Sequence, residues 1–185
     1  MNRLAPQPVK PRVLIVDDKP ANRTAFEAVL EHDYTVTSAE SGEQAIDLCR
    51  KEEFAVIVLD VRMPGMNGFD TAETLRKSEA TRSTPIIIFT SAYDQNVAQI
   101  RLGFNAGATD FLFSPVDPDL LKLKVKTYAA IFLRHEALRH QIRQLNEDVA
   151  DLRAELGLRG LAITGVRSRL DKVEQTVSEI DRQTQ

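Results

Sequence analysis

"VIVLDVRMPGMNGFD", residues Val56 to Asp70, opens as a run of valine, isoleucine and leucine, ends that run in an acid, and turns at once. A strand that is apolar at consecutive positions has no solvent face, so it is covered on both sides, as strands inside a parallel sheet are. Pro64, Gly65, Asn67 and Gly68 make the following stretch a loop, and helical spacing begins at Phe69 and runs to Lys77. One acid, Asp60, is thereby set at the carboxyl end of a buried strand. In open α/β sheets that is where ligands bind.

The same design recurs on either side. "RVLIVDD" (Arg12–Asp18) is a buried run closed by two acids, and "TPIIIFTSA" (Thr84–Ala92) is one closed by hydroxyls. "DFLFSPVDP" (Asp110–Pro118) is a short apolar strand that stops at Ser114, just before Pro115. "YTVTSA" (Tyr34–Ala39) alternates as a half-covered strand. Helical spacing fills the intervals at 21–30, 41–51, 69–77 and 96–106, with Ser41 and Gln44 spaced as a capping box and Gly107 as a stop. Five strands alternating with helices predict an α/β, doubly wound parallel sheet with helices on both faces. Right-handed crossovers then bring Asp17, Asp18, Asp60, Thr90, Ser91 and Ser114 to one edge. Adjacent acids after one strand are equally good helix caps; three carboxylates converging with hydroxyls are a chemical signal.

The 185 residues suffice for one domain with an appendage, and a net charge of −3 argues against a nucleic-acid-binding domain. The longest uncharged run, Ser83–Tyr93, is too short to cross a bilayer. Residues 1–11 hold three prolines and no signal-peptide core, so they are expected to be a flexible leader and the chain cytoplasmic. The single cysteine, Cys49, shares a helical face with Ala45 and is expected in the core.

The segments "VLIVDD", "VIVLDVRMPGMNGFD", "PIIIFTSA" and "GATDFLFSPVD" resemble, in order and spacing, the receiver domains of two-component response regulators. The resemblance covers about residues 12–130, within a receiver domain expected at 12–133, and implies the strand order 2-1-3-4-5. It also implies that Asp60 is a phosphoacceptor for a histidine kinase or phosphotransfer protein, so that the chain is a signalling protein and not an enzyme. Asp17, Asp18 and Asp60, with the backbone carbonyl of Arg62, would hold Mg²⁺ (or Mn²⁺), a cation that takes oxygen ligands and keeps several waters. Thr90 and Phe111 match the switch pair: a hydroxyl that moves to the phosphoryl group and an aromatic ring whose rotamer follows it. At the place of Ser114 the family has a lysine. A serine hydroxyl is shorter and uncharged, and a charge-assisted bond is about twice as strong as a neutral one. Acceptance of phosphate with weakened coupling is the expected outcome. The alternatives are a phosphorylation-independent interaction scaffold, and replacement of the cation by Arg62 or Lys19.

Beyond Asp117 a helix is predicted with no strong breaker before Gly157. Its apolar residues Leu138, Ile142, Leu145, Val149, Leu152 and Leu156 alternate steps of four and three, and Ile163, Val166, Leu170, Val173, Val177 and Ile180 continue in the same frame. The retained frame predicts one long helix over 134–185 that dimerises as a parallel coiled coil, with Asp148 facing Arg153 of the partner and Arg169 facing Glu174. An antiparallel pair folded back at Gly157–Gly160 is the second arrangement. Lys122, Lys124 and Lys126 are expected on a solvated helix face. The chain is also expected to be able to serve as the front end of a longer kinase or effector.

Overall fold

The computed structural model describes residues 10–91, 97–155 and 164–183; most of the leader, and the Gly157–Gly160 stretch at which a fold-back was considered, lie outside them. The elements run β1 (Arg12–Val16), α1 (Pro20–Leu30), β2 (Thr35–Ala39), α2 (Gly42–Cys49), β3 (Val56–Asp60), α3 (Gly68–Lys77), β4 (Ile86–Ser91), α4 (Val97–Asn105), β5 (Asp110–Ser114), α5 (Pro118–Glu155) and α6 (Thr164–Gln183). Two compact units are present, Met1–Phe132 and Leu133–Gln185.

In the first unit all strand pairs are parallel and the order is β2-β1-β3-β4-β5. The central strands alternate between two cores, as their period of two requires. Leu14, Val16, Ile57, Leu59, Ile86, Ile88 and Phe111 point to one face and meet Ala45, Cys49, Ala72 and Leu75 of α2 and α3. Val13, Ile15, Val56, Val58, Ile87, Phe89 and Leu112 point to the other and meet Phe26 and Leu30 of α1 and Leu121, Val125 and Ala129 of α5. Each valine, leucine, isoleucine or phenylalanine so buried contributes about 1.5–3 kcal/mol. Cys49 lies in this core, and burial pushes its thiol up to about 11.

Local chemistry sets the element ends. Ser41 Oγ accepts from the Gln44 N–H at 3.2 Å, and Gln44 reaches back to the Glu40 N–H at 2.7 Å. Asn67 caps α3 by accepting from the Asp70 N–H at 3.0 Å. Gly68 follows because nothing larger fits: a Cβ there would lie 2.1 Å from the Asp60 carbonyl oxygen. The start of α3 is thereby drawn against the end of β3.

The second unit corrects the expectation of one long helix. Arg153 Nη2 lies 3.1 Å from Asp171 Oδ1, and Arg153 Nη1 lies 2.5 Å from Glu174 Oε1. Along one continuous helix Arg153 and Asp171 would stand about 27 Å apart. The chain therefore reverses, and α6 runs back antiparallel along α5. Arg153 and Glu174, expected to face a partner's Asp148 and Arg169, pair here with each other, and Arg153 also pairs with Asp171 of its own chain. Pairing two helices of one chain costs less entropy than immobilising a second molecule, and Gly157, Gly160 and Gly165 each disfavour a straight helix by about 1 kcal/mol. The retained heptad frame does not distinguish the two, because two antiparallel helices also meet along a shared seam.

The seam divides accordingly. Val149 and Val177 are buried, and Ile142 and Leu170 half-buried. Leu138, Leu145, Leu152, Val173 and Ile180 remain exposed. Leu156 and Ile163, and the side chain of Val166, lie outside the described residues. No described helix is long and apolar enough to cross a membrane.

Candidate functional site

The carboxyl ends of β1 and β3 bring Asp17, Asp18 and Asp60 together, with one carboxylate oxygen from each inside a 4.8 Å group. Asp17 and Asp60 are buried and Asp18 half-buried. Asp17 is fixed by its own turn: Oδ1 accepts from the Lys19 N–H at 2.7 Å and Oδ2 from Asn22 Nδ2 at 2.6 Å. Arg23 Nη1 donates to the Asp17 carbonyl at 2.7 Å. Pro20, at the first position of α1, lets this helix begin immediately after the acids.

Burial pushes the Asp60 carboxyl up to about 6, helped by the neighbouring Asp17 charge and opposed by backbone N–H groups of Arg62 and Val61 and by the Lys19 ammonium. Burial likewise raises Asp17, against the bonds from Lys19 and Asn22. Asp18 Oδ1 is buried and has no hydrogen-bond partner. A buried acceptor without a donor costs about 1–3 kcal/mol. Three clustered acids, two of them raised, plus that orphaned oxygen fit a hard divalent cation with oxygen ligands.

Thr90 is buried at the end of β4, one residue beyond Phe89, which pairs in register with Asp60. Ser91 pairs with Ser114 on β5, and the Ser114–Pro115 peptide is cis. Ser114 is exposed. Arg62 is exposed two residues past Asp60, and it contributes its backbone N–H to that carboxylate. Phe111 is turned inward: its ring stands 5.0 Å from that of Phe104 at 71°, and a Cβ on Gly103 would lie 2.3 Å from its Cζ. Gly103 is thus the space into which the ring fits.

Three groups are not apparent from motif reading, the first at the site and the other two at the opposite edge of the sheet, where β4 and β5 begin. Asn22 and Arg23 position Asp17; their spacing from it, one helical turn into α1, is the available signal. Lys124 is not on a solvated face: it pairs with Asp110, to which Tyr128 Oη also donates at 3.0 Å. Burial would raise Asp110, but the bonds from Lys124, the Phe111 N–H and Tyr128 together hold it below the usual range. Arg76 is buried and donates to the carbonyls of Gly107 (2.9 Å), Thr81 (3.1 Å) and Thr84 (2.7 Å), tying α3 to the loops that enter β4 and β5.

Residues 13–126 match the response regulator receiver domain family. The protein PilH of Pseudomonas aeruginosa is 39% identical over 121 residues, covering 65% of this chain and 96% of PilH. The response regulator PleD of Caulobacter vibrioides is 33% identical over 171 residues, which is 92% of this chain but only 35% of PleD. Among solved structures, the Vibrio cholerae chemotaxis protein CheY4 superposes with a TM-score of 0.61 at 29% identity, covering 65% of this chain and 99% of that one. The receiver domain of a sensor histidine kinase of Pseudomonas aeruginosa, crystallised with a magnesium ion in its active-site cleft, also gives 0.61, at 28% identity over 66% of this chain and 99% of that one.

Proposed function

This chain belongs to the response regulator receiver family, and from that premise we propose that Asp60 accepts a phosphoryl group from a histidine kinase or phosphotransfer protein. The observation that carries this reading is the Asp17–Asp18–Asp60 group, one member of which, Asp18, also has a buried oxygen without a partner. Above pH 6 the Asp60 carboxyl is ionised, and its oxygen attacks the phosphorus of a phosphohistidine. An O–P bond forms, the P–N bond breaks, and the leaving imidazole takes up a proton. The product is an acyl phosphate.

Mg²⁺, when bound, neutralises charge on the phosphoryl oxygens and orients the group for in-line transfer. Asp18 and Asp60 would supply oxygens to it directly, Asp17 partly through water, and the Arg62 carbonyl would complete the set. Asn22, Arg23 and the Lys19 N–H keep Asp17 aimed. Thr90 donates its hydroxyl to the arriving phosphoryl group, and Phe111 moves in response. Ser114 leaves that group without the cation a lysine would bring, so acceptance persists while the link to Thr90 and Phe111 weakens. Lys19, whose charge already acts on Asp60, supplies part of what is missing. The hairpin of α5 and α6 is the output element of the described chain.

The test is intact-mass analysis after incubation with acetyl phosphate, with and without Mg²⁺. A gain of one phosphoryl group that requires Mg²⁺ and vanishes in Asp60→Asn is expected. No Asp60-dependent gain with acetyl phosphate or with a phosphorylated histidine donor would overturn the proposal, and function retained by Asp60→Asn would establish a scaffold.

A further inference from the structure

The hairpin leaves half of its heptad seam uncovered. Leu138, Leu145 and Leu152 on α5 and Val173 and Ile180 on α6 are 39–52% exposed, each seven residues from the next in its helix. Between the helices lie Val149, Val177 and the Arg153 ion pairs. With Arg153 opposite Asp171 and Glu174, the antiparallel register sets Leu152 beside Val173 and Leu145 beside Ile180. Antiparallel helices are related by a two-fold axis across their contact, so equal heptad positions emerge on the same side. The five exposed residues therefore form one face.

Those side chains amount to roughly 400 Å² of apolar surface per copy, the size at which an exposed patch marks an interaction site. Apolar atoms supply roughly 56–58% of a typical interface, so such a patch matches a face of about 700 Å² per partner, near the roughly 800 Å² of a stable one. An apolar helical surface whose knobs repeat every seven residues matches this face, and this chain carries that surface. Its rim does not call for a charged partner: Gln141 and Thr176 are neutral, and Arg134, Asp148 and Arg169 stand at three different heights. A two-fold arrangement that lays α5 of one copy on α6 of another brings no like rim charges together.

We propose that a second copy of the chain covers this face, so that two hairpins form a four-helix bundle. The proposal concerns the hairpin alone and holds whether or not Asp60 accepts phosphate, so the two can fail separately. The unphosphorylated full-length chain, kept in EDTA, is expected to sediment as a dimer at micromolar concentration. Leu145→Glu/Leu152→Glu weakens association at least about 100-fold, because each dimer then buries four carboxylates where it had buried leucine. Both positions are half-exposed in the single hairpin, so helicity by circular dichroism is retained. Leu145→Gln/Leu152→Gln repeats the test without added charge. In hydrogen exchange, protection of 138–152 and 170–181 rises with protein concentration. A monomeric intact chain overturns the proposal, as does a dimer that survives both double variants or exchange independent of concentration.

Discussion

Replacing Asp60 with Asn is expected to stabilise the metal-free protein at neutral pH. Burial, with Asp17 beside it, raises the Asp60 carboxyl from an ordinary 3.8 to about 6. The folded chain thus keeps a proton that the unfolded chain has already released, and stability falls as pH rises between about 4 and 6. At 1.36 kcal/mol per unit, the cost of ionising Asp60 is about 3 kcal/mol at pH 7.5 and about 1 kcal/mol at pH 4.5. Asn keeps the shape and removes the charge, so it removes that cost. Urea unfolding in EDTA, at one protein concentration, measures it: the midpoint of Asp60→Asn should exceed that of the parent by at least about 1 M at pH 7.5. The gap should narrow at pH 4.5. Adding Mg²⁺ at pH 7.5 should raise the parent more than the variant, since only the parent keeps the full acid set to bind it. A variant no more stable than the parent at pH 7.5 in EDTA, or equally favoured at both pH values, would refute the argument that buried charge dominates this site.

Ser114→Lys is expected to raise the rate of phosphoryl uptake from acetyl phosphate about 10-fold, the worth of one charge-assisted contact, as followed by mass against time; an unchanged rate means that the missing cation does not limit transfer. Gly103→Ala places a Cβ within 2.3 Å of Phe111 Cζ and should cost about 1–3 kcal/mol in urea unfolding as the ring is forced from its pocket. Unaltered stability would count against the inward ring. Lys124→Met leaves the part-buried Asp110 without its cation and should cost about 1–3 kcal/mol at pH 7. Because Asp110 is held low, its contribution is lost as pH falls below about 4, so the Lys124→Met deficit should shrink in acid.

Much of the receiver could be read from local pattern because local pattern is what its sheet demands. A run such as Val56–Leu59 has no polar face, so burial on both sides follows from the residues alone, and the acid that ends it has one place to go. Ser41 with Gln44 and Asn67 with Asp70 are contacts within one turn, and they form as their spacing requires. Lys124 could not be placed this way: its partner Asp110 lies fourteen residues earlier on another element, and only the packing of α5 on β5 brings them together.

The tail divides the two kinds of knowledge most clearly. Heptad spacing by itself determined that Leu138 to Leu152 and Val173 to Ile180 lie along helical seams, because 3.6 residues per turn is a property of each helix alone. It could not determine which helix meets which, since parallel and antiparallel pairs use the same spacing. Tertiary structure decided that: Arg153 holds Asp171 and Glu174 of its own chain, so one half of the seam is buried within the hairpin and the other half is left facing outward. The same holds for the acids. Their order along the chain followed from strands ending in carboxylates, but only the folded sheet brings three of them within 4.8 Å and strands one buried oxygen without a donor. Proximity in space, and the burial that raises Asp60, belong to the fold and to no single segment.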